Sequence, residues 1–277
     1  MIYQLNELKE NKINPLTGCE YDNSWLILKL TDCKDYQLMC GSSNGCAYTI
    51  KVSRSQYKDW DMAICDFIEF NEAIGKNIIL VMTESDLKLA KSHYIGHKFN
   101  DPFLRDNEPS VLVHCTPMSS WKLIQQDGML KSWNKLKSEN PAYEKQPIGV
   151  MLGDPIDFSD YIMFGGGTTG EIVVNSKQQG KIAMDENEEY LTGARLYFDA
   201  KKIAQDGLLL RDGCHLKVKD TLPLEPYLIW AATWDSIGLP SQVSTPKIFA
   251  KQADKHFQSI AYSKNYSSSH LATSSAW

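Results

Sequence analysis

The apolar run Val111-Leu112-Val113 leads into His114-Cys115-Thr116, and the whole segment reads as a strand. Successive strand side chains point to opposite faces, so His114 and Thr116, two apart, leave the same face toward one spot. After Pro117 a short amphipathic helix is predicted, with Trp121, Leu123 and Ile124 on its buried side and Gly128 as its C-terminal stop. Upstream, Trp25–Leu30 and Ala47–Val52 read as two strands joined through the turn-forming stretch Gly41–Gly45, for which a hairpin is the simplest pairing. Trp60, Ile64, Phe67 and Ile68 recur at helical spacing between Asp59 and Gly75. Ile78–Met82 is a compact buried strand, and Thr83 or Ser85 is placed to cap a helix from Asp86 to Tyr94.

The polar stretch His97 to Pro109, punctuated by Pro102 and Pro109, marks the expected boundary between two units. Residues 1–105 then form an N-terminal α/β module and residues 110–260 a second domain, with one continuous fold as the alternative reading. In the second domain a polar loop spans Lys131 to Pro147, and Ile148–Gly153 reads as a strand. Asp157–Phe164 reads as a helical turn or more, and Gly165–Gly170 as a mobile glycine loop. Glu171-Ile172-Val173-Val174 is expected to be a short strand, and Ala194–Asp199 a strand before a helix from Ala200 to Gln205. The last predicted strand pair is His215–Val218 and Tyr227–Ala232, and residues 262–277 form a Ser-rich tail. Many short strands with few helices imply an α+β fold on a mixed, mostly antiparallel sheet.

The 277 residues carry a net charge of −5 with both signs interspersed, which names no polyanionic partner. No apolar run approaches the roughly 20 residues needed to span a bilayer, and the N-terminus lacks the apolar centre of a signal peptide, so the chain reads as soluble and cytoplasmic, without a membrane partner. The seven cysteines, Cys19, Cys33, Cys40, Cys46, Cys65, Cys115 and Cys214, form no C-x-x-C pair and predict reduced, mostly buried thiols with no structural zinc.

The unit from His114 to Met129 resembles the first NAD-binding motif of ADP-ribosyltransferases and RNA 2′-phosphotransferases, H-G-T/S, a helix, then I-x-x-x-G-L; here Cys115 replaces the glycine. Gly149-Val150-Met151-Leu152 followed by Phe158-Ser159-Asp160-Tyr161 resembles the second motif of poly-ADP-ribose polymerases, whose two aromatics pack on the nicotinamide ring. Tyr161 matches the second aromatic, and Met151 stands where the first would be. From Leu196 to Leu228 the order strand-Asp199-Ala200, helix, Asp206-Gly207, then Leu222-Pro223 and Tyr227-Leu228 is similar to the closing half of RNA 2′-phosphotransferases. A similar closing strand occurs in toxins that ADP-ribosylate DNA bases. Together these stretches cover about residues 110–232.

The resemblance implies an ADP-ribosyltransferase-like split sheet and NAD as the consumed substrate. It further implies transfer of ADP-ribose to a macromolecular acceptor, nucleic acid or protein, with a toxin or defence role by analogy. His114 would bind the nicotinamide-side ribose with Thr116 in support, and Tyr161, with Met151, would lie against nicotinamide. The usual Glu, which stabilises the oxocarbenium-like transition state, aligns here with His215; Glu171 and Asp212 are the other candidates. For each the competing reading is ordinary: a core histidine at His114, a half-buried Tyr161, an exposed strand-end Glu171. The 2′-phosphotransferases also need basic groups for phosphate, for which Lys131, Lys135, Arg195 and Arg211 are present, although the N-terminal Arg-His of that family has no counterpart. A binding module of the same fold without catalysis is the remaining alternative.

Overall fold

The computed structural model describes residues 1–8, 12–33, 47–142, 147, 149 and 154–263. The first unit is a four-stranded parallel sheet of β1 (Ile2–Leu5), β2 (Trp25–Thr31), β3 (Tyr48–Ser53) and β4 (Asn77–Val81), in the order β1-β4-β2-β3. Its strands are apolar on both faces because both are covered. Leu26, Leu28, Ile78 and Leu80 pack against α1 (Trp60–Ala73), whereas Ile27, Ile79 and Val81 pack on Tyr21, Tyr3 and Trp25. The expected hairpin is corrected: Leu26 pairs with Tyr48 and Leu30 with Val52 in parallel register. The helix α2 (Glu84–His93) is capped by Thr83, whose hydroxyl accepts from the Asp86 amide.

The second unit begins with β5 (Val111–Thr116) and α3 (Met118–Asp127), and Gly128 ends the helix in the left-handed region at φ 68°. Trp121 faces the core as expected, but Leu123 is 62% exposed and does not. The segment after Met129 is more ordered than the predicted loop, with β6 (Met129–Lys131) and α4 (Trp133–Glu139), capped by Ser132. A 3-10 turn (Ile156–Asp160) precedes β7 (Tyr161–Met163). Most of the strand expected at 148–153, including Met151, lies outside the described residues; Gly149 is helical rather than extended.

Glu171–Val174 is not a strand but the first part of the helix α5 (Thr169–Gln179). Its β-branched run suggested a strand, yet Glu171, Val174, Asn175 and Ser176 are the buried positions, and the first three have the i, i+3, i+4 spacing of a helix face. The remainder comprises β8 (Tyr190–Leu191), β9 (Ala194–Asp199), α6 (Ala200–Gln205), β10 (Leu210–Arg211), β11 (Leu216–Lys219), β12 (Thr221–Pro223), β13 (Leu228–Ala232), β14 (Val243–Ser244) and α7 (Pro246–Ser263). The last of these helices and β1 were not foreseen, and the tail from 264 lies outside the described residues. The two last predicted strands do not pair with each other: β11 joins β10 and β7, and β13 joins β9 and β5. All pairings in this unit are antiparallel, against the parallel first unit, so the chain is an α+β fold with mixed sheets. No described helix is long and apolar enough to cross a membrane.

The sheet β13-β9-β5 divides the second unit into two cores. On one face Leu112, Leu196 and Phe198 meet Trp121, Ile162, Phe164 and Val218; on the other Val113, Cys115 and Tyr197 meet Val174 of α5 and Phe249 and Phe257 of α7. The expected boundary segment is a pinned strap rather than a free linker. Arg105 forks onto Asp66 of α1 at 2.6 and 2.9 Å, and Glu108 accepts from Arg211 at 2.7 Å. Among the described cysteines Cys65 and Cys115 are buried, Cys19 and Cys33 are exposed, and none is bridged, so burial is less general than expected.

Candidate functional site

The structure divides the predicted site residues among three places. His114 and Thr116 lie on β5 opposite Leu196 and Ala194, so they share the face of the first core. β5 is the edge of its sheet, and the end of β7 meets it there: the Gly165 amide donates to Val113 O at 3.0 Å. His114 Nδ1 lies 3.0 Å from Met163 O. A carbonyl only accepts, so Nδ1 carries the proton and Nε2 is left as an acceptor. Burial holds the imidazole in the neutral form, lowering its pKa to about 4, with the Lys177 charge adding a smaller push.

Nε2 has no hydrogen-bond partner among the described residues, and neither does the hydroxyl of Thr116, which is 5% exposed. Buried polar groups are normally paired. Neither atom is sealed off, because the buried side-chain atoms without a hydrogen-bond partner among the described residues lie elsewhere, at Asn14, Tyr21, Asp157 and Thr192; His114 and Thr116 instead leave hydrogen-bonding capacity open side by side at the edge of β5.

Glu171 is on the opposite side of that sheet. It is fully buried, accepts from Cys115 Sγ at 3.0 Å and Tyr190 Oη at 2.6 Å, and pairs with Arg195 at 3.5 Å. Arg195 in turn binds Asp254 of α7 at 2.9 Å. Burial raises the carboxyl of Glu171, and the Arg195 guanidinium opposes that rise. Because Cys115 and His114 alternate across β5, this carboxylate and the His114 imidazole have the thickness of a sheet between them. The reading of Glu171 as an exposed strand-end residue is corrected by the same contacts.

Asp212, His215 and Tyr161 come together in the third place, the seam between the two units. Asp212 accepts from Lys217 Nζ at 2.6 Å and lies 3.1 Å from His215 Nδ1. Burial alone would raise the Asp212 carboxyl, but Lys217 and His215 more than reverse this and hold it well below the usual carboxylate range. The Lys217 ammonium sits 3.9 Å from the ring centre of Phe70, 4.4 Å from Tyr161 and 4.8 Å from Phe158. Tyr161 also meets Phe70 edge-on at 5.7 Å, so its ring is engaged in the seam rather than offered at the edge of β5. Asp154 lies nearby, raised to about 6 by burial and by Asp212, with His215 opposing.

The basic candidates are also committed. Arg195 and Arg211 are buried in ion pairs, Lys131 is tied to Asp127 and Glu139, and Lys135 to Glu139. Among the described residues no group of acidic, His and Cys side chains is placed to hold a metal ion. A cavity of about 30 Å³, the room of one water, lies in the first unit beside Tyr21, Trp25 and Tyr48.

Gly165, Gly167 and Gly170 have the spacing G-x-G-x-x-G, directly after β7 and opening α5. Gly167 has φ +56°, and a Cβ on Gly170 would come 2.4 Å from Cys115 Sγ. The third glycine thus permits close helix-to-strand packing, its role in dinucleotide-binding turns. Reading the stretch only as a mobile loop passed over that spacing. No protein-family model, curated protein or solved structure matches this chain.

Proposed function

We propose that the edge where β5 meets the end of β7 is an NAD-binding site of ADP-ribosyltransferase type. The observation that carries this is the neutral His114 imidazole, whose Nε2 has no partner among the described residues, on the same strand face as the hydroxyl of Thr116 at the edge of β5. A neutral imidazole nitrogen accepts a hydrogen bond from a ribose hydroxyl without contributing charge, and a hydroxyl both gives and accepts one. These are the two groups that the sequence resemblance assigns to the nicotinamide-side ribose. The two three-stranded sheets meeting at that edge agree with a split-sheet architecture.

The activity we infer is rupture of the nicotinamide–ribose bond of NAD and attachment of ADP-ribose to a nucleophile on a nucleic acid or protein, the nucleophile losing its proton. The carboxylate for that step is unassigned. Glu171, Asp212 and His215 each face away from His114 into a closed network, which favours a second reading in which the domain binds NAD without transferring it. The 2′-phosphotransferase reading has less support, because Arg195, Arg211 and Lys131 already have carboxylate partners.

The test is NAD binding by calorimetry, followed by incubation with NAD labelled in its adenosine and a cell lysate. Wild type is expected to bind NAD and His114→Ala to lose at least roughly tenfold in affinity, the worth of one charge-neutral contact left unmade. Label in a macromolecule supports transfer, whereas binding without label supports the second reading. Wild-type protein that binds no NAD overturns both.

A further inference from the structure

We infer that the cavity beside Tyr21, Trp25 and Tyr48 is a seat for a primary alkylammonium group, carried by a free amine or by a lysine side chain. The inference stands apart from the NAD reading, because the residues that line the cavity are all distant in sequence from His114 and Thr116 and none of them belongs to β5.

The cavity has a buried floor and an exposed rim. Tyr21, Leu26, Tyr48 and Pro155 are buried, Trp25 is half-buried, and Asp22 and Asn23 are exposed. Parallel pairing builds it: β2 begins at Trp25 and β3 at Tyr48, and Leu26 lies in register with Tyr48, so these side chains gather at one end of the sheet. The rings are held by further rings. Tyr21 meets Trp25 edge-on at 6.2 Å with their planes 70° apart, Tyr3 stands 5.6 Å from Trp25, and Phe158 of the second unit stands 5.4 Å from Tyr48. Walls fixed in this way need little ordering when something enters.

Two polar groups in this aromatic lining call for a partner. The hydroxyl of Tyr21 is buried and makes no hydrogen bond among the described residues, where a buried phenol ordinarily has one. Asp22, at the rim, is the one charged side chain among the described lining residues. The amide and hydroxyl of Ser24 donate to its Oδ1 and hold the carboxyl below its usual range, while Oδ2 accepts from no described residue. Lys76 reaches the rim by donating to the Asn23 carbonyl at 2.9 Å, but its charge is matched by Asp157 at 2.7 Å, an ion pair without hydrogen-bond geometry.

At about 30 Å³ the cavity admits a head group the size of a water, which an ammonium is and a trimethylammonium is not. A water bound there would want two to four polar partners, and a mostly aromatic lining is poor in them. An ammonium head draws on the rings themselves, can donate to the Tyr21 oxygen, and finds its counter-charge in Asp22.

The test titrates the full chain with n-butylammonium, n-butanol and tetramethylammonium, following the indole resonance of Trp25, assigned with Trp25→Phe. n-Butylammonium is expected to bind roughly tenfold more tightly than n-butanol, and tetramethylammonium not to bind. Tyr21→Phe removes a hydroxyl that has no partner, so it should melt at or above wild type while losing about fivefold in n-butylammonium affinity. Asp22→Asn keeps the acceptor for Ser24 and should lose about threefold, with the salt dependence of binding lost as well. Nα-acetyl-lysine amide as a second probe separates the sources: binding equal to n-butylammonium supports a lysine side chain, and weaker binding supports a free amine. Equal affinity for n-butylammonium and n-butanol overturns the seat. A Trp25 resonance that no amine shifts means that the cavity holds water alone, and overturns it too.

Discussion

The two faces of β5 treat their polar groups in opposite ways. Behind Cys115, every described polar atom of Glu171, Tyr190, Arg195 and Asp254 is tied into one continuous network. In front, His114 and Thr116 each keep a group without a partner. A closed network is what stability requires, since one unmatched buried charge is costly. An open pair is what recognition requires, since a ligand supplies the missing partner. The difference separates residues that hold the fold from residues that await something, a distinction that residue type alone does not make: Glu171 is chemically the better catalyst and structurally the worse placed.

The largest expected effect breaks the closed side. Arg195→Ala would leave Glu171 fully buried and Asp254 partly buried without their counter-charge. Loss of one partner of a buried pair costs about 3–5 kcal/mol, to be read as a shift in the denaturant midpoint at constant m. If Arg195→Ala unfolds with the wild-type midpoint, the network is not structural and Glu171 becomes free for another role.

A smaller effect sharpens the open side. The His114 imidazole titrates near 6.5 in an unfolded chain and at about 4 in the folded one. Between those values the unfolded state binds more protons, so stability rises with pH across the window and is flat above it. Taking the pH from 7 to 4 should therefore cost wild type up to about 3 kcal/mol from this group. His114→Gln removes the titration, and the difference in unfolding free energy between the two proteins, followed against pH, isolates it. A flat difference would mean that the imidazole is hydrated and the face less enclosed than drawn.

The open side was largely legible in the sequence and the closed side was not. Period-two alternation places His114 and Thr116 on one face, and the helix from Met118 ends at Gly128 for a reason visible in the chain. The closed network depends on pairs such as Cys115 with Glu171 and Arg195 with Asp254, 56 and 59 residues apart, which no local pattern announces. Glu171 was misplaced because Ile172-Val173-Val174 carries strand propensity that tertiary burial overrode. The parallel pairing of β2 with β3 did leave a trace: Leu26, Ile27 and Leu28 are consecutive and all buried, a run typical of strands covered on both faces. The Gly41–Gly45 turn signal outweighed it, and that segment lies outside the described residues.

The smallest expected effect lies where the two sides touch. Gly170 follows the glycine turn that meets the edge of β5, and its missing side chain is what lets α5 sit against Cys115 behind the strand. Gly170→Ala would place a Cβ 2.4 Å from Cys115 Sγ and 2.9 Å from its Cβ, so either helix or strand must shift. Overpacking costs about 1–3 kcal/mol, while alanine in place of glycine returns up to about 1 kcal/mol in a helix, leaving a net loss of about 1 kcal/mol. Cys115→Ala removes the nearer of the two clashing atoms, the sulfur, at the loss of its bond to Glu171, and keeps the contact with Cβ. The double variant should then be more stable than the sum of the single effects by about 1 kcal/mol, the size expected for residues in direct contact. Additive losses would show that the helix adjusts without touching the strand, and the link between the turn and the closed network would be broken.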